Sequence, residues 1–507
     1  MRSLADHRPF APCPAPFNLA EYVLAAGEAQ PDHIALQVLR LTGAERWSYA
    51  RLTAAVRGIG TGFLRAGLAP GDRLLLRLGN TVDFPLAYLG AIAVGVVPVP
   101  TSSQLTTPEI TAMAATLKPA AVLAGEGIAL PETDAARVLP AADLTRWQSL
   151  PPCDWDRGSP DRLAYMVFTS GSSGRPRAVM HAHRAIWARR MMWDGWYGLR
   201  ADDRLMHAGA FNWTYTLGTG LMDPWAIGAT ALIPQPGIAP AQLPLLMKRF
   251  DATIFAAAPG VYRQLLKMPV PPLPRLRHGL SAGEALPDTT RTAWETATGT
   301  PVYEALGMSE VSTYIAASPT RPAPKGTAGY PQPGRCVAVL GADGQPVPRG
   351  APGQLAVAAD DPGLMLGYWG AADDSAARLR DGWFLTGDTA MMAQDGAITY
   401  LGRDDDMMNA GGFRVSPLEV ESAFDAHPGL AESAAVELPL RDGVSVIALA
   451  YVPQDDDPGE DALQAHARAM LARYKQPRVY RCMAALPRAA NNKLDRRRLR
   501  QEWGTTA

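Results

Sequence analysis

The sequence predicts an α/β protein: a large N-terminal domain of layered sheets flanked by helices, plus a small mobile α+β C-terminal lid domain. Three observations lead there. At 507 residues the chain exceeds what one hydrophobic core organises. Through its first part, short apolar runs of strand length alternate with segments of helical period, the pattern of a largely parallel sheet covered on its faces. Three consecutive acids, Asp404-Asp405-Asp406, then stand between glycines. Like charges so close favour an exposed, extended linker, which puts the boundary between 1–403 and 404–507 with Asp405 as the hinge.

Taken in order, Phe17 to Ala26 carries apolar side chains at helical spacing, and Ala35 to Val38 with Arg46 to Tyr49 reads as a hairpin. Leu52 to Leu68 is an amphipathic helix, Asp72 to Leu78 a strand, Phe84 to Val94 a buried helix, Val97 to Val99 a strand and Pro108 to Thr116 a helix. Pro140 to Pro160, rich in proline, charge and tryptophan, is expected on the surface. Leu163 to Phe168 is a strand, His183 to Trp193 a helix, Asp203 to His207 a strand, and His278 to Leu286 a strand and turn. From Gly353 to Trp369 and at Trp383 to Asp388 the sequence is again β-like. The tail reads helix, strand, strand, helix, strand, with strands at Ala431–Glu437 and Val444–Val452 and a helix at Ala462–Tyr474.

Composition excludes several classes. A formal net charge of -1 gives no overall field for gathering nucleic acid. The four cysteines, Cys13, Cys153, Cys336 and Cys482, are far apart and form no CxxC pair, so neither a zinc site nor a disulfide framework is expected and a reducing cytoplasm fits. No signal pattern opens the chain, and the most apolar run, Pro85 to Val99, is too short and too interrupted for a membrane span.

The chemistry concentrates where strands end. Thr169-Ser170-Gly171-Ser172-Ser173-Gly174 follows the strand Leu163–Phe168 with six small or hydroxyl side chains, and Arg177 adds fixed positive charge. Glycine lets backbone N–H groups converge on an anion and the hydroxyls add donors, so the segment suits a polyphosphate cradle; alone, it reads more simply as a solvated loop. Phe211-Asn212-Trp213-Thr214-Tyr215 mixes large rings with isolated polar groups, as a pocket wall does. Ser309-Glu310 sets a hydroxyl beside a carboxylate at a glycine turn, able to hold a phosphate oxygen and Mg²⁺ together. Asp388 at the mouth of a glycine turn is placed to accept ribose hydroxyls, although Thr-Gly-Asp alone is more often just a turn. Lys493 in its Arg-rich tail would ordinarily be a solvated charge.

Together these segments, in this order, resemble the adenylate-forming superfamily, which includes acyl- and aryl-CoA ligases, luciferases and peptide-synthetase adenylation domains. VFTSGSSGRPRAV, Val167 to Val179, is similar to its phosphate loop, SAGEALP at 281–287 to the benzoate-type CoA ligase version of its segment, and GRDDDMMNAGGFRVSPLEVE at 402–421 to its hinge. The resemblance implies that ATP is held by Thr169, Ser170, Gly171, Ser172, Ser173, Gly174, Glu284, Glu304, Ala305, Leu306, Gly307, Ser309, Asp388 and Arg403. It makes Lys493, Glu310 and Arg177 catalytic, with Glu310 the Mg²⁺ ligand. It assigns the acyl pocket to Phe211, Asn212, Trp213, Tyr215, Ala282 and Gly283, and brings CoA to the backbone of Gly411 and Gly412. Asn212 stands where amino-acid-activating relatives carry an aspartate, which disfavours an α-amino acid. Three positions depart from the family: Arg177 replaces a lysine, Leu306 an aromatic ring against adenine, and Asn492 the glycine before the lysine.

The implied reaction joins a carboxylate to ATP as an acyl-adenylate and transfers it to CoA, with ATP, Mg²⁺ and CoA required and an aryl or small acid favoured. Two other readings stay open at this stage: an aryl-acid adenylating enzyme loading a separate carrier protein, and a nucleotide-binding relative with impaired chemistry. The resemblance also allows a homodimer.

Overall fold

In this computed structural model the described residues are 1–133, 136–170, 176–403, 406–410, 413–441, 444–471, 473–489 and 493–504. Two sheets realise the expected strand and helix alternation. In the first, strand Arg73–Arg77 lies between Val97–Pro100 and Ala121–Ala124, with Arg137–Pro140 on the far edge, all parallel. The second has nine strands. Ile34–Leu39, Thr230–Pro234, Arg204–His207, Ile254–Ala257, His278–Ala282 and Val302–Met308 run parallel through it. Antiparallel strands close its edges: Ala44–Ser48 on one side, Ser312–Ala316 and Tyr330–Pro331 on the other. The central strand Ile254-Phe255-Ala256-Ala257 is buried throughout, which is why it reads as a continuous apolar run rather than an alternation.

Helices cover the faces by close approach. Helix Asp83–Ala93 buries every residue from Phe84 to Ala93. It packs on helix Tyr49–Arg65 at Gly90, where a methyl group would stand 2.8 Å from Ile59 Cγ2 and 3.0 Å from the Val56 carbonyl. Beyond them Trp147 lies edge-on to Phe63, ring centroids 5.4 Å apart. The stretch 140–160 lies largely on the surface, as its composition suggests, and is anchored there by three buried side chains. A short helix, Ala142–Trp147, buries Leu144 and Trp147, and Cys153 is buried after it. Leu144, Trp147 and Cys153 turn inward, while Pro151, Pro152 and most of the charges of the stretch are exposed.

Two antiparallel sheets complete the body. The strands Leu163–Ser170 and Pro176–Ala182 form a hairpin extended by Gly367–Tyr368. A six-stranded sheet contains Cys336–Leu340, Pro352–Ala358, Trp383–Met392 and Ile398–Arg403. The helix expected at 183–193 is regular only over Arg184–Ala188, and a wider π-helical turn follows at Trp193–Tyr197.

The tail has the expected helix Pro417–Asp425, the antiparallel pair Leu430–Arg441 and Val444–Pro453, helix Glu460–Met470 and strand Val479–Cys482. A hairpin, Met408–Ala410 with Phe413–Val415, precedes these, and a helix the sequence reading did not assign, Arg496–Gly504, ends them. The tail's two apolar clusters draw only on residues from Met408 onward, and the body's clusters stop at Ile398. Among the described residues no helix is long and apolar enough to cross a membrane.

Candidate active site

Adjacent parallel strands deliver the first groups. His278–Ala282 ends in Gly283 and Glu284; Val302–Met308 ends in Ser309 and Glu310. Glu304 ties the two ends together: its carboxylate accepts from the Leu286 N–H (3.1 Å) and from Arg291 Nη2 (2.9 Å). Burial pushes the Glu304 carboxyl up to about 7, and Arg291 pulls it back down. Ala305 lies inside the sheet, and Leu306 is packed against the main core at a bulge between Leu306 and Gly307. Gly307 has no room for a side chain, because a Cβ would stand 2.7 Å from the Ser312 carbonyl oxygen.

Glu310 is 6% exposed and oriented: Tyr368 Oη donates to its Oε1 at 2.8 Å, and the Met365 N–H donates to its carbonyl at 2.8 Å. The neighbouring Ser309 carbonyl accepts from His181 Nε2 at 2.8 Å. Burial lowers the His181 pKa to about 4, so the ring is neutral and Nε2 carries its proton. Among the described residues no three metal-ligating side chains gather. A Mg²⁺ at Glu310 would thus use one protein carboxylate and complete its shell with phosphate oxygens and water, which is its usual habit. The residues fit that ion.

Asp388 and Arg403 are register partners on neighbouring strands, and Arg403 Nη1 donates to Asp388 Oδ1 at 3.1 Å. Asp388 does not stand at a turn, as its sequence suggests. It sits inside strand Trp383–Met392, just after Gly387, whose φ of +76° and register shifts nearby bulge the strand and turn the carboxylate inward. Burial raises its pKa, opposed by Arg403 and by a hydrogen bond from Thr386; the Glu310 charge also reaches it.

Thr169 and Ser170 lie on the strand Leu163–Ser170, and Arg177 faces Thr169 across the hairpin. Arg177 is paired with Asp374 at 2.8 Å, and its guanidinium carbon lies 5.2 Å from the Tyr368 ring centroid. Tyr368 thus stands between Arg177 and Glu310. Gly171, Ser172, Ser173 and Gly174, like Asp405, Gly411, Gly412 and Asn492, lie outside the described residues.

Lys493 arrives from the tail. An isolated bridge, Arg488 to Leu494, and a 2.8 Å hydrogen bond from the Ala489 N–H to the Lys493 carbonyl close its loop. Its side chain keeps access to solvent while protein surrounds it, the situation of a group standing in a cleft. That enclosure lowers its pKa, Glu284, Asp388 and Glu310 raise it, and Arg403 lowers it further. All four charges lie within electrostatic reach of one ammonium, which brings the strand ends, the bulged strand and the tail loop into one neighbourhood.

Along the wall beside it, Tyr215 and Ala282 share one apolar cluster with Ala305, and Trp213 packs against it. Trp213 and Tyr215 meet edge-on at 5.1 Å, Tyr215 Oη donates to the Leu280 carbonyl at 3.1 Å, and a Cβ at Gly283 would lie 2.7 Å from the Trp213 ring. Asn212 is half-buried. Phe211 faces elsewhere: it is 2% exposed in the main core, 5.7 Å from Phe84. Behind the wall, Arg189 and Asp223 form a buried ion pair at 2.6 Å that also takes the Tyr197 hydroxyl. Sequence reasoning missed Tyr368, Asp374 and His181. Only the string Gly367-Tyr368-Trp369 was conspicuous, and nothing in it pointed to Glu310.

The AMP-binding enzyme family matches residues 24–369, and the AMP-binding enzyme C-terminal domain matches 419–493. The chain is 30% identical to the 3-hydroxybenzoate–CoA ligase of Aromatoleum sp. (strain CIB), covering 96% of each. It is 29% identical to the benzoate–CoA ligase of Thauera aromatica, covering 98% of this chain and 99% of that one. A solved structure of a benzoate CoA ligase from Burkholderia xenovorans LB400 superposes with a TM-score of 0.85 at 25% identity, covering 96% of this chain and 100% of that one. With both family segments present and a 30% identical relative covered over nearly its whole length, the chain belongs to the AMP-binding enzymes, the adenylate-forming acid–thiol ligases.

Proposed function

We propose that this protein activates an aryl or small carboxylic acid with ATP and transfers the acyl group to CoA. A carboxylate oxygen attacks the α-phosphorus of ATP, the bond to pyrophosphate breaks, and an acyl-adenylate forms. The CoA sulfur then attacks the acyl carbon, the bond to the AMP oxygen breaks, and the thiol proton passes to solvent. Both anions of the first half repel each other, so the barrier is electrostatic.

The observation that carries this reading is the Lys493 ammonium, acted on together by Glu284, Asp388 and Glu310. In the proposed roles Lys493 bridges the substrate carboxylate and the α-phosphate, and Arg177 exchanges Asp374 for phosphate oxygens. Asp388 and Arg403 hold ribose, residues 304–307 flank adenine, and Ser309 with residues 169–174 cradles the phosphates. A bound Mg²⁺ on Glu310 would neutralise phosphate charge. After adenylation the tail rotates about Asp405, at the boundary between 1–403 and 404–507. Lys493 then withdraws and the backbone of Gly411 and Gly412 is brought to CoA. Trp213, Tyr215, Ala282 and Gly283 form a short aromatic wall, and Asn212 offers no countercharge for a substrate ammonium. Relatives named benzoate and 3-hydroxybenzoate CoA ligases support an aryl acid and CoA as acceptor. We place the reaction in the cytoplasm.

ATP–pyrophosphate exchange over a panel of benzoates, short acids and long fatty acids tests this, followed by AMP release with and without CoA. Exchange with aryl or small acids and saturable, CoA-coupled AMP release are expected. Exchange with none of the panel contradicts the reading, and AMP release that needs an added carrier protein overturns the CoA assignment.

A further inference from the structure

The seat of Lys493 depends on how the tail is held against the body, and one carboxylate outside the cleft joins them. Glu432, on strand Leu430–Arg441 of the tail, lies 3.1 Å from Arg263 Nη1 on the body helix Pro259–Leu265. The same carboxylate accepts from Arg488 Nη2 at 3.0 and 2.9 Å. Arg488 opens the loop that Lys493 closes, through its bridge to Leu494 and the Ala489 to Lys493 hydrogen bond. A continuous chain of contacts thus runs from a body helix through Glu432 to the lysine loop. Its side chains are 30%, 26% and 25% exposed for Arg263, Glu432 and Arg488, so solvent screens the pair less than a fully exposed one.

Bifurcation matters here. A carboxylate between two guanidinium groups is held in one rotamer, and it transmits position from one to the other. Arg263 has a second acid within electrostatic reach, Asp425, whose carboxyl burial pushes up to about 6. Losing Glu432 therefore leaves Arg263 another acid on the tail, outside the Lys493 loop, whereas losing Arg263 removes the body's partner of Glu432.

We propose that Glu432 is a positioning residue: by bridging Arg263 and Arg488 it latches the tail in the pose that seats Lys493, and so favours the adenylate-forming half of the reaction over thioester formation. The inference rests on the role of Lys493 proposed above. Pivoting about Asp405 for the second half must part Arg263 from Glu432, since one is on each side of the hinge.

The test separates the half-reactions. Arg263→Met and Glu432→Gln are each expected to lower ATP–pyrophosphate exchange about tenfold, the order of shift a single partly buried contact gives a two-state equilibrium. Thioester formation from supplied benzoyl-adenylate and CoA should be unchanged or faster, and Arg263→Lys should recover most of the exchange. Lys493→Ala is run beside them. If it leaves exchange intact, the lysine's role falls and the latch with it. If it abolishes exchange while Arg263→Met changes neither half, the lysine stands and the latch is wrong. Equal losses in both halves for Arg263→Met also overturn the latch, since a general packing role would produce them.

Discussion

Body and tail meet the cleft in opposite ways. The body's groups are fixed twice, by a strand and by a partner: Glu310 by Tyr368, Asp388 by Arg403, Glu304 by Arg291 and the Leu286 N–H. The tail's contribution is one lysine on a loop whose described ends are joined by two backbone hydrogen bonds, Ala489 N–H to the Lys493 carbonyl and Asp495 N–H to the Pro487 carbonyl, and by a bridge, with Arg488 held by Glu432. In the proposed roles the groups that keep ATP in place are the rigidly held ones, and the charge that comes and goes rides on the tail. The contrast extends to the cores, since among the described residues no apolar cluster is shared between the two parts.

That contrast can be broken at several strengths. Glu310→Gln removes the carboxylate proposed to hold Mg²⁺ and should cost about 3 kcal/mol of barrier, roughly a hundredfold in exchange rate. A loss appearing only in the CoA half would separate Glu310 from ATP. Asp388→Ala should act more weakly and chiefly on KM for ATP, about tenfold, because a ribose contact is made in ground and transition states alike. Tyr368→Phe leaves Glu310 in place and removes only its orienting hydrogen bond, worth about 1 kcal/mol or slightly more. The Mg²⁺ concentration for half-maximal exchange should rise several-fold, and an unchanged requirement would make Tyr368 a packing residue.

Acid distinguishes the two parts without any ligand. Burial holds His181 and His278 at about 4 and His183 and His207 at about 3, all in the body. Each stays neutral when folded and gains a proton on unfolding below about 6.5, so its contribution is complete above that pH and is lost as pH falls towards 4. Glu304 acts with the opposite sign: its folded carboxyl, at about 7, is already protonated near pH 5.5, where the unfolded one is ionised. The body should therefore take up about three protons on unfolding near pH 5.5, losing about 4 kcal/mol per pH unit. Urea unfolding between pH 7 and 5, followed by body tryptophan fluorescence, measures the slope; stability that is flat over this range contradicts the burial of these rings.

Much of the cleft was legible because its groups sit in short contiguous strings. Ser309-Glu310, Asp388, Arg403 and Lys493 each carry neighbours that restrict what the residue is for, and the alternation of strands and helices places those strings at strand ends. Contacts made by packing were not legible. Tyr368 and Glu310 are 58 positions apart, and Glu432 is 56 from Arg488, with nothing local to link them. The bulge that turns Asp388 inward is a property of two paired strands, so Thr-Gly-Asp alone looked like a turn. Phe211 and Trp213 are indistinguishable as pocket rings until the backbone directs one at Phe84 and the other at Gly283.

The most direct measurement is the pair of half-reactions of Lys493→Ala. A fixed body that binds ATP and a tail lysine that serves only the first step predict loss of pyrophosphate exchange by a hundredfold or more. They also predict near-normal thioester formation from supplied acyl-adenylate and CoA. Exchange that survives the substitution, or equal loss of both halves, would contradict this division of labour.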